Sequence, residues 1–470
     1  MSTTPLMARR PGRYPVPRRA HPVRGWWRDA SGLTAWLSLL FVVALWVAGR
    51  GLQNLGSVSG FLTSAGRLAG LLSADLLLLQ VLLMARIPWV ERSYGQDELA
   101  RRHRLAGFTS ITLMGTHVVL ITVGYAVTDR SGLVSEAWDL VTTDPGMLLA
   151  TAGTAALVMV AITSVRAARR RLRYESWHLL HLYAYLGAGL ALPHQLWTGA
   201  DFTSSTAATV FWWSAYATAA AAILVFRLGM PVWLNLRHRL VVERVVPEAR
   251  GVVSIHLRGR RLDRLPVAAG QFFLWRFLHG TGWTRGNPFS LSAAPDGTRL
   301  RITAKDLGDG SRRLATVPAG TRVLFEGPYG RLTESVRSGR KVTMVASGVG
   351  ITPLRALLEA LPYRPGEAVL LYRARNEGQL LFRHELDALA ARRGIRVHYL
   401  LGRRGRGRVS WLPAQYGAAA GETILQYLVP DIAEHDVYVC GPDAWTEAVI
   451  ASARGAGVPR SHIHSERFGW

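Results

Sequence analysis

The chain has 470 residues, 49% of them hydrophobic, and a formal net charge of +25 at pH 7. That length is too great for one compact domain. The single cysteine, Cys440, excludes an intramolecular disulfide framework and any cysteine-rich metal or iron–sulfur site. In a soluble protein such a charge would suggest nucleic acid. Here the arginines flank apolar segments, so a membrane and not a nucleic acid is the expected partner.

Residues 1–30 form a basic tail with seven arginines between Arg9 and Arg28. Six apolar runs follow within 31–230: Leu33–Val47, Leu68–Ile87, Leu105–Val127, Met147–Val165, Trp177–Leu192 and Ala207–Leu228. Several approach the roughly 20 residues a spanning helix needs, and the first and fifth are short. Arginines crowd the tail, the second and fourth connections and the segment after the sixth run. The other connections carry Asp129, Glu136, Asp139, Asp144 and Asp201. Positive residues stay on the cytoplasmic side, so both termini are expected inside the cell membrane, with the first run an uncleaved helix.

Two histidines lie in the third run region and two in the fifth: His103 and His117 (117 − 103 = 14), His181 and His194 (194 − 181 = 13). Ionisable residues inside a membrane point to function, and neutral imidazole is a good axial ligand for haem iron. A rise of 1.5 Å per residue would place two such irons roughly 20 Å apart along the helix. A spacing of 14 returns within roughly 40° of the same helix face, whereas 13 misses by roughly 140°. Pro193, just before His194, can change the helical phase there. His178 competes with His181 for the inner position. Asp75, within the second run, is a further intramembrane acid, read either as functional or as an interhelical hydrogen bond.

After about Leu240 short β-prone runs appear, such as Val252–Leu257, Gln271–Trp275 and Leu300–Ala304. From Lys341 strand and helix patterns alternate. The expected fold is therefore multi-domain: a six-helix transmembrane bundle (31–230), a β-barrel (238–336), and a doubly wound α/β domain (337–470). The run Lys341–Ala346 leads into Ser347-Gly348-Val349-Gly350-Ile351-Thr352-Pro353, a strand, glycine turn and helix start that would cradle a phosphate. Arg373 and Arg375 end the next strand, where an arginine can hold a 2′-phosphate and favour NADPH over NADH; Arg403, Arg404 and Arg406 add to this. In Asn287-Pro288-Phe289-Ser290 an aromatic can stack on a flavin while a hydroxyl bonds its ring edge. Gly308-Asp309-Gly310-Ser311 is a second candidate anion site, and Cys440-Gly441-Pro442 closes a strand at Asp436–Val439.

The ordered set of these motifs, with Gly327–Gly330 (GPYG) and Glu466-Arg467-Phe468, resembles the ferric reductase and NADPH oxidase superfamily from about residue 33 onward. The resemblance implies a di-haem membrane domain, with b-type haems on His103/His181 and His117/His194, fused to a ferredoxin–NADP reductase module. It would give Phe289 and Ser290 the flavin ring, and Lys305, Gly310 and Ser311 the FAD phosphates. Gly348, Gly350 and Thr352 would hold the nicotinamide nucleotide, with Cys440 near hydride transfer and Phe468 or Trp470 covering the flavin. Arg67 matches an arginine near the outer haem. Two positions depart from the family. Asn287 stands where an Arg or His is usual, with Arg285 two residues away. Ile121 stands where animal oxidases carry a second histidine.

The expected activity is electron transfer from cytoplasmic NADPH (or NADH), through FAD and two haems, to an extracytoplasmic ferric chelate or O2, with no protein partner required. The alternative is an electron donor to an extracytoplasmic protein or quinone. A haem sensor without NADPH turnover is a third, weaker reading. No EF-hand loop pattern is present.

Overall fold

A computed structural model describes residues 26–53, 55–172, 174–197, 199–306, 308–403, 410–417 and 419–466. It divides into two compact units, Arg24–Met230 and Pro231–Trp470.

The first unit is helical: α1 (Trp26–Ala48), α2 (Val58–Met84), α3 (Gln96–Asp129), α4 (Met147–Ser164), α5 (Tyr174–Trp197) and α6 (Thr206–Ala222). A π-helical stretch, Ile223–Gly229, carries α6 on into Met230–His238. Ser57 and Ser205 cap α2 and α6 by accepting from Gly60 N at 3.1 Å and Ala208 N at 3.2 Å. Among the described residues, five helices are long and apolar enough to cross a membrane. The fifth expected run, Trp177–Leu192, does form a helix, α5, but it is not one of those five. His178, His181, His194 and Pro193 all fall within it and dilute its apolar character.

Small residues set how these helices pair, as expected where lipid offers no hydrophobic drive to associate. On the α2–α3 contact, a Cβ at Gly124 would lie 2.7 Å from Thr63. Ser73 Oγ donates to Ser110 O at 2.8 Å and Ser110 Oγ to Ser73 O at 2.9 Å. Between α4 and α5, a Cβ at Gly153 would lie 2.7 Å from Gly187 O. The histidine-bearing helices α3 and α5 each lie against their own partner, α2 and α4, and not along one another.

The second unit opens with two three-stranded antiparallel sheets. One runs β1 (Val241–Ala249), β2 (Val252–Arg258), β5 (Arg299–Lys305), and the other β4 (Asn287–Ser290), β3 (Phe272–Phe277), β6 (Val323–Tyr329). A parallel sheet follows in the order β11 (Ile463–Ser465), β10 (His435–Cys440), β7 (Lys341–Ser347), β8 (Ala368–Ala374), β9 (Arg396–Leu401). Its helices are α7 (Ile351–Ala360), α8 (Arg383–Arg393), α9 (Gly421–Leu428) and α10 (Asp443–Gly455). β8 is buried at every position, the pattern of a parallel strand covered on both faces. The strand order reverses between β7 and β10, so the ligand crevice of such a sheet lies at the carboxyl ends of those two strands.

Candidate functional site

In the helical unit the four histidines come together as two ring pairs. His103 and His181 have ring centres 5.9 Å apart, and His117 and His194 6.5 Å apart. Two metal–nitrogen bonds of about 2 Å and two half-rings of about 1 Å put an iron's two imidazole ligands about 6 Å apart, centre to centre. The His181 ring faces His103 at that separation. The phase defect of a 13-residue spacing is overcome within α5, which contains Pro193. A proline there removes a backbone donor and disfavours regular helical geometry just before His194.

Three of the rings are held from behind by bonds to neighbouring helices. His103 Nδ1 donates to Gln80 O at 3.2 Å and His117 Nδ1 to Gly66 O at 2.9 Å, both on α2. His181 Nδ1 lies 3.2 Å from Ser164 Oγ at the end of α4. Such bonds on the far nitrogen fix the tautomer of a metal-binding histidine and leave Nε2 as the ligating atom. Gly70 makes room for His117, since a Cβ there would lie 2.6 Å from Nδ1. At Gly115 on α3 and Gly189 on α5 a Cβ would meet nothing within 4 Å, so open space adjoins both histidine helices. Among the described residues no group of three or more His, Cys, Asp and Glu could hold a bare metal ion. Paired imidazoles instead suit an iron whose other four ligands come from a macrocycle. These residues fit two haems.

Arg67, on α2 beside Gly66, forms a two-pronged ion pair with Asp201: Nε donates to Oδ2 at 2.7 Å and Nη2 to Oδ1. Gln80, Gly66, Gly70, Ser164 and Asp201 were not singled out from the sequence. Backbone carbonyls and glycines carry no chemical signature along the chain. Asp201 appeared there only as a loop charge.

In the second unit, Phe289 and Ser290 lie on β4, paired with Phe273 and Phe272. Ser290 Oγ is buried and has no hydrogen-bond partner. A buried hydroxyl without a partner is costly, and a flavin ring edge would supply one. Lys305 is exposed at the end of β5. Gly310 and Ser311 lie in the short helix Asp309–Arg312, where Ser311 Oγ donates to Gly308 O at 3.0 Å. A small, solvent-open cleft of about 30 Å³ adjoins Asn287, lined also by His279, Trp283, Arg285, Arg313 and Leu314. A Cβ at Gly282 would lie 2.8 Å from Arg313 Nη1 and 3.8 Å from Arg285 Cδ, so the two arginines converge there. The unpartnered Ser290 hydroxyl beside Phe289 and the cationic groups of this cleft suit a flavin nucleotide.

Gly348 (φ +56°) and Gly350 form the turn after β7, and Thr352 is buried in the first turn of α7, its hydroxyl donating to Val349 O at 2.9 Å. Tyr372 OH braces the turn by donating to Gly348 O at 3.1 Å, and accepts from Leu381 N at 3.1 Å. A Cβ at Gly350 would overlap the Cys440 carbonyl, so the loops after β7 and β10 touch at the strand-order reversal. Burial, with the Glu466 carboxylate nearby, pushes the Cys440 thiol well above its ordinary pKa. It is a neutral thiol at pH 7. Arg373 is buried. Its guanidinium donates to Leu400 O at 3.1 Å and Gly402 O at 2.6 Å, tying β8 to β9. Arg375 and Arg403 are exposed at the ends of the same strands. Arg404, Arg406, Phe468 and Trp470 lie outside the described residues.

This arrangement is that of an oxidoreductase with a membrane-embedded electron path and a reductase module. Residues 69–192 match the family "Ferric reductase like transmembrane component" and residues 344–450 the "Oxidoreductase NAD-binding domain". The chain is 36% identical over 197 residues to Ferredoxin--NADP reductase B of Sorangium cellulosum, covering 38% of this chain and 77% of that one. It is 32% identical over 244 residues to the ferredoxin reductase component of 3-ketosteroid-9-alpha-monooxygenase of Mycolicibacterium smegmatis, covering 50% and 65%. Among solved structures, the ferredoxin reductase in carbazole 1,9a-dioxygenase overlays with a TM-score of 0.41 at 20% identity, covering 49% of this chain and 69% of that one. The chain belongs to the NAD(P)H-dependent oxidoreductases that join a ferric reductase-like transmembrane component to a ferredoxin–NADP reductase-like domain.

Proposed function

We propose that this protein carries electrons from cytoplasmic NADPH, through FAD and two b-type haems, across the cell membrane to a ferric chelate outside. The observation that supports this most is the pair of imidazole couples at bis-histidine spacing, 5.9 and 6.5 Å between ring centres, on a chain that also carries a reductase module. FAD accepts a hydride and passes electrons on singly; haem iron accepts and gives one electron. The chain's own residues do the rest. Gly348, Gly350 and Thr352 seat the nicotinamide nucleotide, with Arg375 and Arg403 towards a 2′-phosphate. Phe289 covers the flavin ring and Ser290 Oγ bonds its edge; Lys305, Gly310 and Ser311 serve its phosphates. Cys440, a neutral thiol, fills the floor of the hydride-transfer site. His103 and His181 hold the inner iron, His117 and His194 the outer. Six helices span the membrane, α5 among them, with both termini and the reductase module inside, as the arginine distribution favours.

Ile121, one turn after His117, lies against α2: a Cβ at Gly66 would meet its side chain at 3.1 Å. It brings no proton donor to the outer haem, which favours outer-sphere reduction of a ferric chelate over reduction of O2. The test is an anaerobic optical spectrum of the purified, FAD-supplemented protein before and after NADPH or NADH. A reduced b-type haem spectrum, faster with NADPH, followed by reoxidation with ferric chelate, is expected. Haem that reduces with dithionite but never with either nucleotide would sink the reading. A preference for NADH would remove Arg375 from its role.

A further inference from the structure

We infer that Asp75 is a proton-binding site coupled to the electrons on the two haems; this rests on the di-haem reading above. Asp75 is 1% exposed on α2, in the middle of the helical unit. Its Oδ1 accepts from Ser38 Oγ of α1 at 2.7 Å, and its Oδ2 is buried with no partner. No charged side chain acts on it. The groups around α2 at this level are Ser38 from α1, Ser110 from α3, and the apolar cluster of Leu71, Ala74, Leu78, Trp212 and Ala219 that joins α2 to α6. Tyr216 of α6, whose hydroxyl donates to Gln195, packs against the same cluster. His103 and His117 on α3 and Arg67 on α2, paired with Asp201, are the other titratable groups that bear on these helices. Trp212 Nε1, in the same cluster, is a second buried polar atom without a partner.

The position is the telling feature. Gly70 lies against His117, and the Gln80 carbonyl accepts from His103. Asp75 is five residues from each (75 − 70 = 5; 80 − 75 = 5), about 7–8 Å along the α2 axis from either contact. In a low-dielectric interior a charge there acts on both irons. An ionised carboxylate with an unpaired oxygen is costly in such a core unless a cation or a proton compensates it. With haems bound, the single positive charge of each ferric iron–porphyrin core would supply part of that compensation, and reduction to the ferrous state would remove it. One proton from water then binds Asp75 Oδ2, forming an O–H bond. When the electron leaves, the proton returns to water. A purely structural link to Ser38 would be made as well by a neutral amide.

The test is an equilibrium redox titration of the haems in the full chain, by absorbance, at a series of pH values. In the wild type the midpoint potential of at least one haem is expected to fall with pH, by up to about 59 mV per tenfold change in proton activity for one proton per electron. In Asp75→Asn the slope is expected to flatten. Equal slopes, or a pH-independent wild type, overturn the proposal. Should Asp75→Asn fail to take up haem, Ser38→Ala keeps the carboxyl and removes its bond. Its slope should persist with the inflection moved to higher pH, and reduced-minus-oxidised infrared spectra should show a protonated carboxyl band that shifts relative to wild type. An unmoved inflection, or no carboxyl band on reduction, overturns it. Wild-type protein that is folded but shows no haem absorbance overturns the di-haem reading itself, and this proposal with it.

Discussion

His103, His117 and His181 each have one ring nitrogen bonded to a neighbouring helix, so on the di-haem proposal loss of a single ring removes one ligand without disturbing the reductase unit. In His117→Leu, outer-face reduction of ferric chelate is expected to fall at least about tenfold, since one axial bond is lost. Stopped-flow reduction of the flavin by NADPH should be unchanged; wild-type chelate reduction would refute the assignment. A second residue-scale expectation concerns Asn287, which cannot replace the charge of an arginine on the diphosphate. Arg285 and Arg313 converge beside it. Arg285→Ala with Arg313→Ala should weaken FAD binding roughly tenfold to a hundredfold, the scale of lost charge-assisted bonds to phosphate. Asn287→Arg in that background should recover part of it. Fluorescence titration with FAD and with FMN reads this directly: an equal loss for FMN, which lacks the second phosphate and the adenosine, would point instead to a collapsed fold. His178 and His181 could not be separated along the chain, because both lie at the inner end of one run. The structure sets the His181 ring against His103.

Elements decide how closely these residues approach. α2 carries glycines where α3 needs space, and a Cβ at Gly70 would lie 2.6 Å from His117 Nδ1. Gly70→Ala is therefore expected to displace that ring and leave the protein with about half its haem, by pyridine haemochrome assay; full haem content would show that α2 can yield. In the parallel sheet, Asp436 on β10 accepts from His464 Nε2 of β11 at 2.7 Å and from Gly339 N at 2.5 Å and Ser338 N at 3.1 Å. Burial opposes its ionisation, but these bonds outweigh it and hold its pKa below the usual aspartate value. A carboxylate lowered in the folded state stabilises the fold above its unfolded pKa of about 3.9, and that contribution is lost as pH falls through the folded value. Asp436→Asn should cost about 2 kcal/mol at pH 7, with the gap to wild type narrowing below pH of about 4. Thermal melts at the two pH values check this; a constant gap would mean that Asp436 acts by shape alone. The same scale explains α5. Its histidines and proline make it the least apolar of the long helices, and they are also what bring His181 and His194 to their partners.

At the scale of the molecule, a helical unit ending at Met230 and a reductase unit beginning at Pro231 divide the chemistry. Residues 231–470 contain both antiparallel sheets, the parallel sheet and every residue assigned to FAD and nucleotide. Expressed alone, this segment is expected to reduce ferricyanide with NADPH and to contain no haem. Haem in it, or loss of all nucleotide-driven reduction in a folded sample, would contradict the division of labour.

The class of protein was legible in the chain. Hydropathy, arginine placement and the order of NPFS, GDGS, SGVGITP and CGP are linear signals, because lipid burial and phosphate turns each act over a few consecutive residues. The four histidines could be read from their spacing for the same reason. What only the tertiary structure decided is what depends on groups distant in sequence. These are the pairing of His194 with His117, the carbonyls behind His103 and His117, the hydroxyl behind His181, and the convergence of Arg285 with Arg313. The burial of Arg373 against β9 and that of Asp75 between the contacts of α2 with His117 and His103 are of the same kind. Those follow from which backbone and which side chain meet across helices and strands, and one residue's identity does not encode its partner.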